Sequence, residues 1–203
     1  MLSQMLLTLH IVSLNRVGKE YEEWLKVLSM TDLTNLVMIP QKLIYEQKAE
    51  GLLETYKVLG STIQFLYNHI KKFKGANVSW EEFFCSYYTV MSRNLVLNNK
   101  NLSATDPDHQ YVILPFTDFL NHDFNPNVIL QVEDMDKRYQ ADGIVEKEKA
   151  VFCYALRDIS IGEQLFVSYG ECSNMNLMSN YGFTVRDNPH NKLSITFGIQ
   201  NWQ

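Results

Sequence analysis

Two segments in the C-terminal half most tightly constrain how this chain folds. One is Asp118-Phe-Leu-Asn-His-Asp-Phe-Asn-Pro-Asn127. The other is Gly162-Glu-Gln-Leu-Phe-Val-Ser-Tyr-Gly170, followed by Asn180-Tyr-Gly-Phe183. Each sets polar, turn-forming residues against a short apolar run, with Pro or Gly as punctuation. Asn121 can offer a ligand a donor and an acceptor at once, and the backbone beside it can read an adenine edge. The plainer reading of Asn121-His122 is a turn with satisfied polar groups. Tyr169 reads first as a core aromatic with its hydroxyl tied to the backbone. Gly170 beside it removes a side chain, so a ligand or another segment can come close. Ser173-Asn174 reads as a helix N-cap.

Composition narrows the class. The chain has 203 residues, 46% hydrophobic and 20% charged, which is enough for a globular core. A formal charge of −5 argues against chain-wide attraction to nucleic acid or an anionic membrane surface. Lys71-Lys72-Phe-Lys74 is the one basic run, and it reads as the solvated end of a helix. Cys85, Cys153 and Cys172 form no C-x-x-C pair. Neither structural zinc nor a disulfide framework is expected, and a reducing, cytoplasmic and/or nuclear compartment fits. Met5 to Leu14 is apolar but shorter than the ~20 residues of a membrane span. It reads as a buried helix or strand rather than a signal peptide.

The pattern changes near residue 105. Upstream it is helical: Tyr21, Trp24, Leu25 and Leu28 share one face. Pro40 opens a longer run to about Lys74, with Gly51 and Gly60 as breaks or close-packing points. Ser79 and Glu82 form a capping box. Trp80, Phe83, Phe84, Tyr87, Tyr88, Met91 and Leu95 then make a stripe that reads as core, with a ligand groove as the alternative. Downstream, Val112–Phe116, Val128–Val132, Ala150–Ala155, Gln164–Tyr169 and Lys192–Phe197 read as strands. Asp134 to Glu148 reads as a hairpin region, and Asp158 to Gly162 as a turn. A short helix fits Asn174 to Tyr181, ended by Gly182.

Taken in order, Tyr-Thr-Val-Met-Ser-Arg93, Leu-Pro-Phe-Thr-Asp-Phe-Leu-Asn-His122, Gly162-Glu to Tyr169-Gly, Ser173-Asn174, Tyr181-Gly-Phe183 and Asn-Pro-His190 resemble one branch of the SET-domain methyltransferases. That branch holds Rubisco large-subunit lysine methyltransferase and the actin-histidine methyltransferase. The resemblance spans roughly residues 20 to 200 and is most specific from 112 to 197. It implies an α+β architecture, a β-rich SET fold closed by a pseudoknot, with a mostly helical insert in the N-terminal half. Residues 1–19 are then an N-terminal segment of open assignment, 20–105 the helical insert region and 106–203 the C-terminal SET core.

The resemblance also implies roles. Arg93, Asp118, Asn121, His122 and Ser173 would hold S-adenosylmethionine. Tyr169 matches the catalytic tyrosine, and Tyr181 and Phe183 would shape the channel for a substrate side chain. No metal is implied. The partner is a protein substrate, with no direct nucleic-acid or membrane binding. Lysine is favoured over histidine, because Leu95 stands where the histidine enzyme has an Asn, and Thr117 where it has a Trp. Relatives begin with a strand and a Gly-x-Gly turn that wraps the methionine end of the cofactor. None of the nine glycines here forms a Gly-x-Gly. The chain therefore resembles a SET domain starting partway through, without the helical substrate-binding domain. Two expectations follow: a lysine methyltransferase, or a shortened, catalytically impaired module that binds or regulates, with a partner covering an incomplete sheet edge.

Overall fold

A computed structural model of the chain describes residues 2–17, 19, 21–29, 34–72, 77–97, 110–134 and 149–193. Helices dominate up to residue 93. Helix α1 (Leu2–Val17) settles the apolar N-terminal segment as helix rather than strand, so it pairs with no sheet edge as a strand would. Thr8, Ile11 and Val12 are buried at i, i+3, i+4 spacing and face the body of the protein. Helix α2 (Glu22–Ser29) buries Trp24. A 3-10 turn (Leu36–Met38) follows, capped by Asn35, whose Oδ1 accepts from the Val37 N–H.

The run after Pro40 divides into α3 (Gln41–Glu46) and α4 (Glu50–Ile70). The break falls at neither glycine. Lys48 takes the left-handed conformation (φ 53) between the two helices, whereas Gly51 and Gly60 lie inside α4. A helix interior tolerates glycine at about 1 kcal/mol, and the packing of α4 outweighs that. Ile63, Leu66 and Ile70 supply this packing as its buried stripe. Lys71 and Lys72 are exposed at its end, and Lys74 lies outside the described residues.

Helix α5 (Trp80–Arg93) starts at the expected capping box. Ser79 accepts from the Glu82 N–H, and the Glu82 carboxylate accepts from the Ser79 N–H. Arg16 of α1 reaches the same carboxylate with Nε (2.9 Å) and Nη2 (2.8 Å), joining the end of one helix to the start of the other. Both partners are exposed, so this pair orients the helices more than it stabilises them. Phe83, Tyr87 and Tyr88 pack with Val12, Ile63, Leu66 and Ile70 in the main core. Trp24, Ile11 and Val90 form a second cluster, against which Phe119 packs. Leu95 leaves the helical stripe for β1 (Leu95–Leu97), which pairs antiparallel with β2 (Gln110–Val112).

The expected strand Val112–Phe116 is shorter than its pattern suggests. It ends at Val112, and Phe116 turns left-handed (φ 71) to start a 3-10 turn, Thr117–Phe119. That turn aims Asp118 inward. Strand β3 (Asn121–His122) runs parallel to β6 (Phe166–Val167), with Asn121 opposite Phe166 and His122 opposite Val167. Between them, β4 (Val128–Asp134) and β5 (Lys149–Ala155) form an antiparallel ladder across the anticipated hairpin, whose residues 135–148 lie outside the described set. Backbone pairing at 164–169 is limited to two residues because a side chain does the rest. Buried Asn127 gives its amide N–H to Gln164 O (2.9 Å) and Glu163 Oε1 (3.2 Å), and accepts from the Phe166 N–H (2.7 Å).

Helix α6 (Asn174–Asn180) carries the chain back to the crossing. Asn174 exchanges two bonds with Val185, and Asn188 donates to Asn174 and to the Cys172 carbonyl, so the Tyr181-Gly-Phe183 turn is clamped from both ends. Of the expected strand Lys192–Phe197, residues 192 and 193 are irregular, and 194–197 lie outside the described residues. No described helix is long and apolar enough to cross a membrane.

Candidate active site

A cleft of about 340 Å³ opens where α5, the 3-10 turn at Asp118 and the Tyr181-Gly-Phe183 turn meet. Arg93, Asp118, Asn121, Tyr169, Tyr181 and Phe183 all border it. Residues far apart in sequence thus converge on one cavity. His122 and Ser173 do not line it. Ser173 caps α6, its hydroxyl accepting from the Asn176 N–H (3.3 Å).

Tyr169 is held at three points. Its hydroxyl donates to the Leu120 carbonyl (2.7 Å), and its N–H donates to His122 Nδ1 (3.1 Å). Its ring stacks on His122 at 5.2 Å and lies 4.6 Å from Tyr181. Burial pushes the Tyr169 phenol up, so it stays a neutral donor toward Leu120 with lone-pair capacity to spare. Tyr181 is pushed up to about 12, chiefly by burial. Phe183 stands 6.5 Å from Tyr169 and 6.2 Å from Tyr181, completing an aromatic wall.

Asp118 is fully enclosed. Both its carboxylate oxygens accept from the Trp24 indole N–H (3.1 and 3.2 Å), and Arg93 Nη1 lies 3.5 Å from Oδ2 and 3.1 Å from the Asp118 carbonyl. Burial raises the acid's pKa, and Trp24 and Arg93 pull it back. Asp118 therefore spends itself inside the protein, fixing Arg93 and tying α2 to the cleft wall. Arg93 also stacks over Phe119 at 5.2 Å. Gly182 (φ 81) meets the Thr34 carbonyl so closely that no side chain fits between them.

Tyr88 and Asn35 line the same cleft; the sequence showed Tyr88 only as part of the core stripe and did not single out Asn35. The Tyr88 hydroxyl and Asn35 Nδ2 are buried with no hydrogen-bond partner among the described residues. Each such group costs about 1–3 kcal/mol when left unpaired. With Arg93 and Asn121 they are among the polar groups that line the cleft and could hold a cofactor. Among the described residues no cluster of His, Cys, Asp and Glu could hold a metal ion.

His122 Nδ1 must be unprotonated to accept from Tyr169. Burial lowers its pKa and His190 adds to this, while the Val167 carbonyl and Asp123 raise it, with a net downward shift. Because the folded pKa lies below the unfolded one, this stabilisation is complete above about pH 6.5 and is lost as pH falls through the folded pKa. Melting temperature should drop on acidification below that point, and His122→Asn should remove that part of the slope.

The pattern of the SET domain matches residues 18–170, most of the chain. This chain belongs to the SET-domain family. Ribosomal lysine N-methyltransferase 1 of Saccharomyces cerevisiae is 26% identical over 178 residues, 83% of this chain and 25% of that protein. Ribosomal lysine N-methyltransferase 3 of the same yeast is 38% identical over 64 residues, 32% of this chain and 11% of that protein. This SET chain spans a quarter or less of the length of either relative. Its fold resembles the crystal structure of the SET domain of LSMT bound to lysine and AdoHcy. The TM-score is 0.65 at 16% identity, covering 89% of this chain and 40% of that one. The α+β SET fold expected from the motifs is the fold observed. The crossing of β3 with β6, locked by Asn127, is the pseudoknot that brings the SET motifs onto one cleft.

Proposed function

We propose that this chain is the SET module of an S-adenosylmethionine-dependent protein-lysine methyltransferase, with a ribosomal protein as the substrate class. The observation that carries the reading is Tyr169, buried at the cleft with its hydroxyl on the Leu120 carbonyl and Tyr181 and Phe183 beside it. The names of the yeast relatives support the substrate class.

S-adenosylmethionine supplies an electrophilic methyl group on a sulfonium. The cleft residues fit such a ligand, since Asn35, Tyr88, Arg93 and Asn121 line a cavity together with the aromatic rings of Tyr169, Tyr181 and Phe183. A lysine amine has a reference pKa of about 10.4 and must be neutral to attack. The Tyr169–Tyr181–Phe183 wall excludes water and so lowers that pKa. The Tyr169 oxygen, its own proton committed to Leu120, accepts an amine N–H and turns the nitrogen lone pair toward the methyl group. Alignment of this kind is worth roughly 7–11 kcal/mol in favourable intramolecular models. No side chain of the cleft has to act as a strong base.

Lysine is favoured over histidine because Asn94 spends its amide on the Val90 (2.6 Å) and Met91 (3.3 Å) carbonyls at the end of α5. Its amide donors are thereby withheld from an imidazole nitrogen, leaving Oδ1 alone to accept. The three free cysteines support a reducing, cytoplasmic or nuclear setting. Incubation of the chain with methyl-labelled S-adenosylmethionine and purified ribosomal proteins tests the reading. Label is expected on a lysine side chain of one protein. Absence of label from well-folded chain on every ribosomal protein would overturn the substrate class, and label on histidine would overturn the lysine assignment.

A further inference from the structure

Trp24 reaches the cleft wall from α2, although 94 positions separate it from the residue it holds. Its ring is 3% exposed, and its N–H is shared between the two carboxylate oxygens of Asp118. An indole has no second polar group, so this donor is the whole polar contribution of Trp24. Asp118 sits within the 3-10 turn Thr117–Phe119, which closes where the Leu120 N–H donates to the Thr117 carbonyl (3.2 Å). The Leu120 carbonyl leaves that turn to receive the Tyr169 hydroxyl. From within the turn, the Asp118 carbonyl takes Arg93 Nη1. One buried carboxylate therefore anchors the turn that seats both Tyr169 and Arg93. The neutral donor that meets it comes from outside the C-terminal motifs.

Resting on the methyltransferase reading, we propose that Trp24 is a positioning residue for methyl transfer, acting through Asp118 to hold the turn on which Tyr169 is seated. Trp24 itself does not line the cleft. Its N–H stabilises the ionised form of a carboxylate that burial pushes toward the neutral one. Among the described residues, the charged or titratable groups that interact with this carboxylate are Arg93 of α5, which also favours the ion, and Tyr169, which stays neutral. Helix α2 adds none, since Glu22, Glu23 and Lys26 pair with one another at the surface. Helix α1 meets the cluster around Trp24 with Leu7, Ile11 and Leu14. Without the indole N–H, Asp118 keeps its proton to a higher pH, and the neutral acid no longer attracts Arg93.

A double-mutant cycle on the 203-residue chain tests this, with Trp24→Phe, Asp118→Asn and the double variant at about pH 6 and about pH 9. Single-turnover transfer from S-adenosylmethionine to purified ribosomal proteins is read beside thermal melts and calorimetry with S-adenosylhomocysteine. Relative to the parent at the same pH, Trp24→Phe is expected to lower transfer about tenfold at the lower pH and about threefold at the higher. Taking the ratio removes the titration of substrate lysine and of His122, which variant and parent share. The loss of melting temperature should run the other way and be smaller at the lower pH, because a protonated Asp118 has less need of the donor. A ring that only fills the core would lower transfer and stability together at both pH values. In the Asp118→Asn background, Trp24→Phe should cost under about twofold in transfer. Additive losses in the cycle, or a transfer loss that does not deepen at the lower pH, would overturn the proposal and leave the methyltransferase reading standing. If Trp24→Phe does not fold, Asp118→Asn decides alone: about a tenfold loss of transfer is expected, and an unchanged rate overturns the role. Binding by the parent without transfer moves the same cycle to S-adenosylhomocysteine affinity, which follows Arg93 on the same turn, and additive losses there overturn the role. Neither binding nor transfer by the folded parent would overturn both readings together.

Discussion

Tyr169→Phe is expected to lower methyl transfer by roughly 10²–10³, the range found when one preorganised hydrogen-bonding group is taken from a reaction centre. The ring contacts with His122 and Tyr181 survive in the variant, as does the backbone N–H bond to His122 Nδ1. Only the hydroxyl is lost, leaving the Leu120 carbonyl without the donor it holds at 2.7 Å. The stability cost should therefore be modest, about 1 kcal/mol. Affinity for S-adenosylhomocysteine should change little, because in the proposed reaction the hydroxyl serves the attacking amine rather than the cofactor. Single-turnover transfer measured beside calorimetric binding separates these effects. An unchanged transfer rate would remove Tyr169 from the chemistry.

The largest effect on stability is expected at Gly182. A Cβ there would lie 1.2 Å from the Thr34 carbonyl oxygen and 2.3 Å from the Thr34 carbonyl carbon, so the backbone itself must move. The positive φ of 81° adds strain of about 1–2 kcal/mol for any L side chain. Gly182→Ala should cost roughly 3–5 kcal/mol in all, lowering the melting temperature by about 10 °C. Gly170→Ala is the matched control. Its φ of 101° is also positive, but an added methyl meets nothing within 4 Å. It should pay the conformational strain alone, about 1–2 kcal/mol. Thermal melts of the two variants give the comparison, and equal losses would show that the Thr34 contact is not what Gly182 serves. Gly182 sits between Tyr181 and Phe183, so its displacement should also weaken ligand binding at the cleft.

Local chemistry was the readable part of this chain. The Ser79–Glu82 capping box, the Trp24 face, the β4 and β5 segments and the close of α6 at Gly182 each depend on residues a few positions apart. Periodicity and cap chemistry report such neighbours directly. The helix break near Lys48 was misplaced onto Gly51 and Gly60 because propensity cannot see the packing that carries α4 through its glycines. Motif resemblance singled out Arg93, Asp118, Asn121, Tyr169, Tyr181 and Phe183, and the fold brings these six to one cleft. Tyr88 was not among them. In a stripe of aromatics its hydroxyl carries no signal, and only its place on the cleft lining separates it from Tyr87. Asn35 and Asn127 were hidden for a related reason. A lone asparagine in a loop reads as a turn, and whether it also bridges distant strands or faces a cavity depends on what the fold brings opposite it.

The short parallel pairing of residues 121 and 122 with 166 and 167 also sets the order in which the molecule can be made. Behind one wall of the cleft, the start of α5 packs Trp80 on Tyr67, Phe83 and Phe84, contacts close in sequence that can form on their own timescale. The opposite wall must wait for a long loop to close around two ladder residues and one asparagine. Closure of that kind loses chain entropy before any contact repays it, so it belongs to the slow phase of folding. During refolding, the Trp80 environment on α5 should mature early, while competence to bind ligand should arrive late and in a single step. A ribosome-bound chain that has not yet exposed Val167 would carry a formed helical half and no site at all.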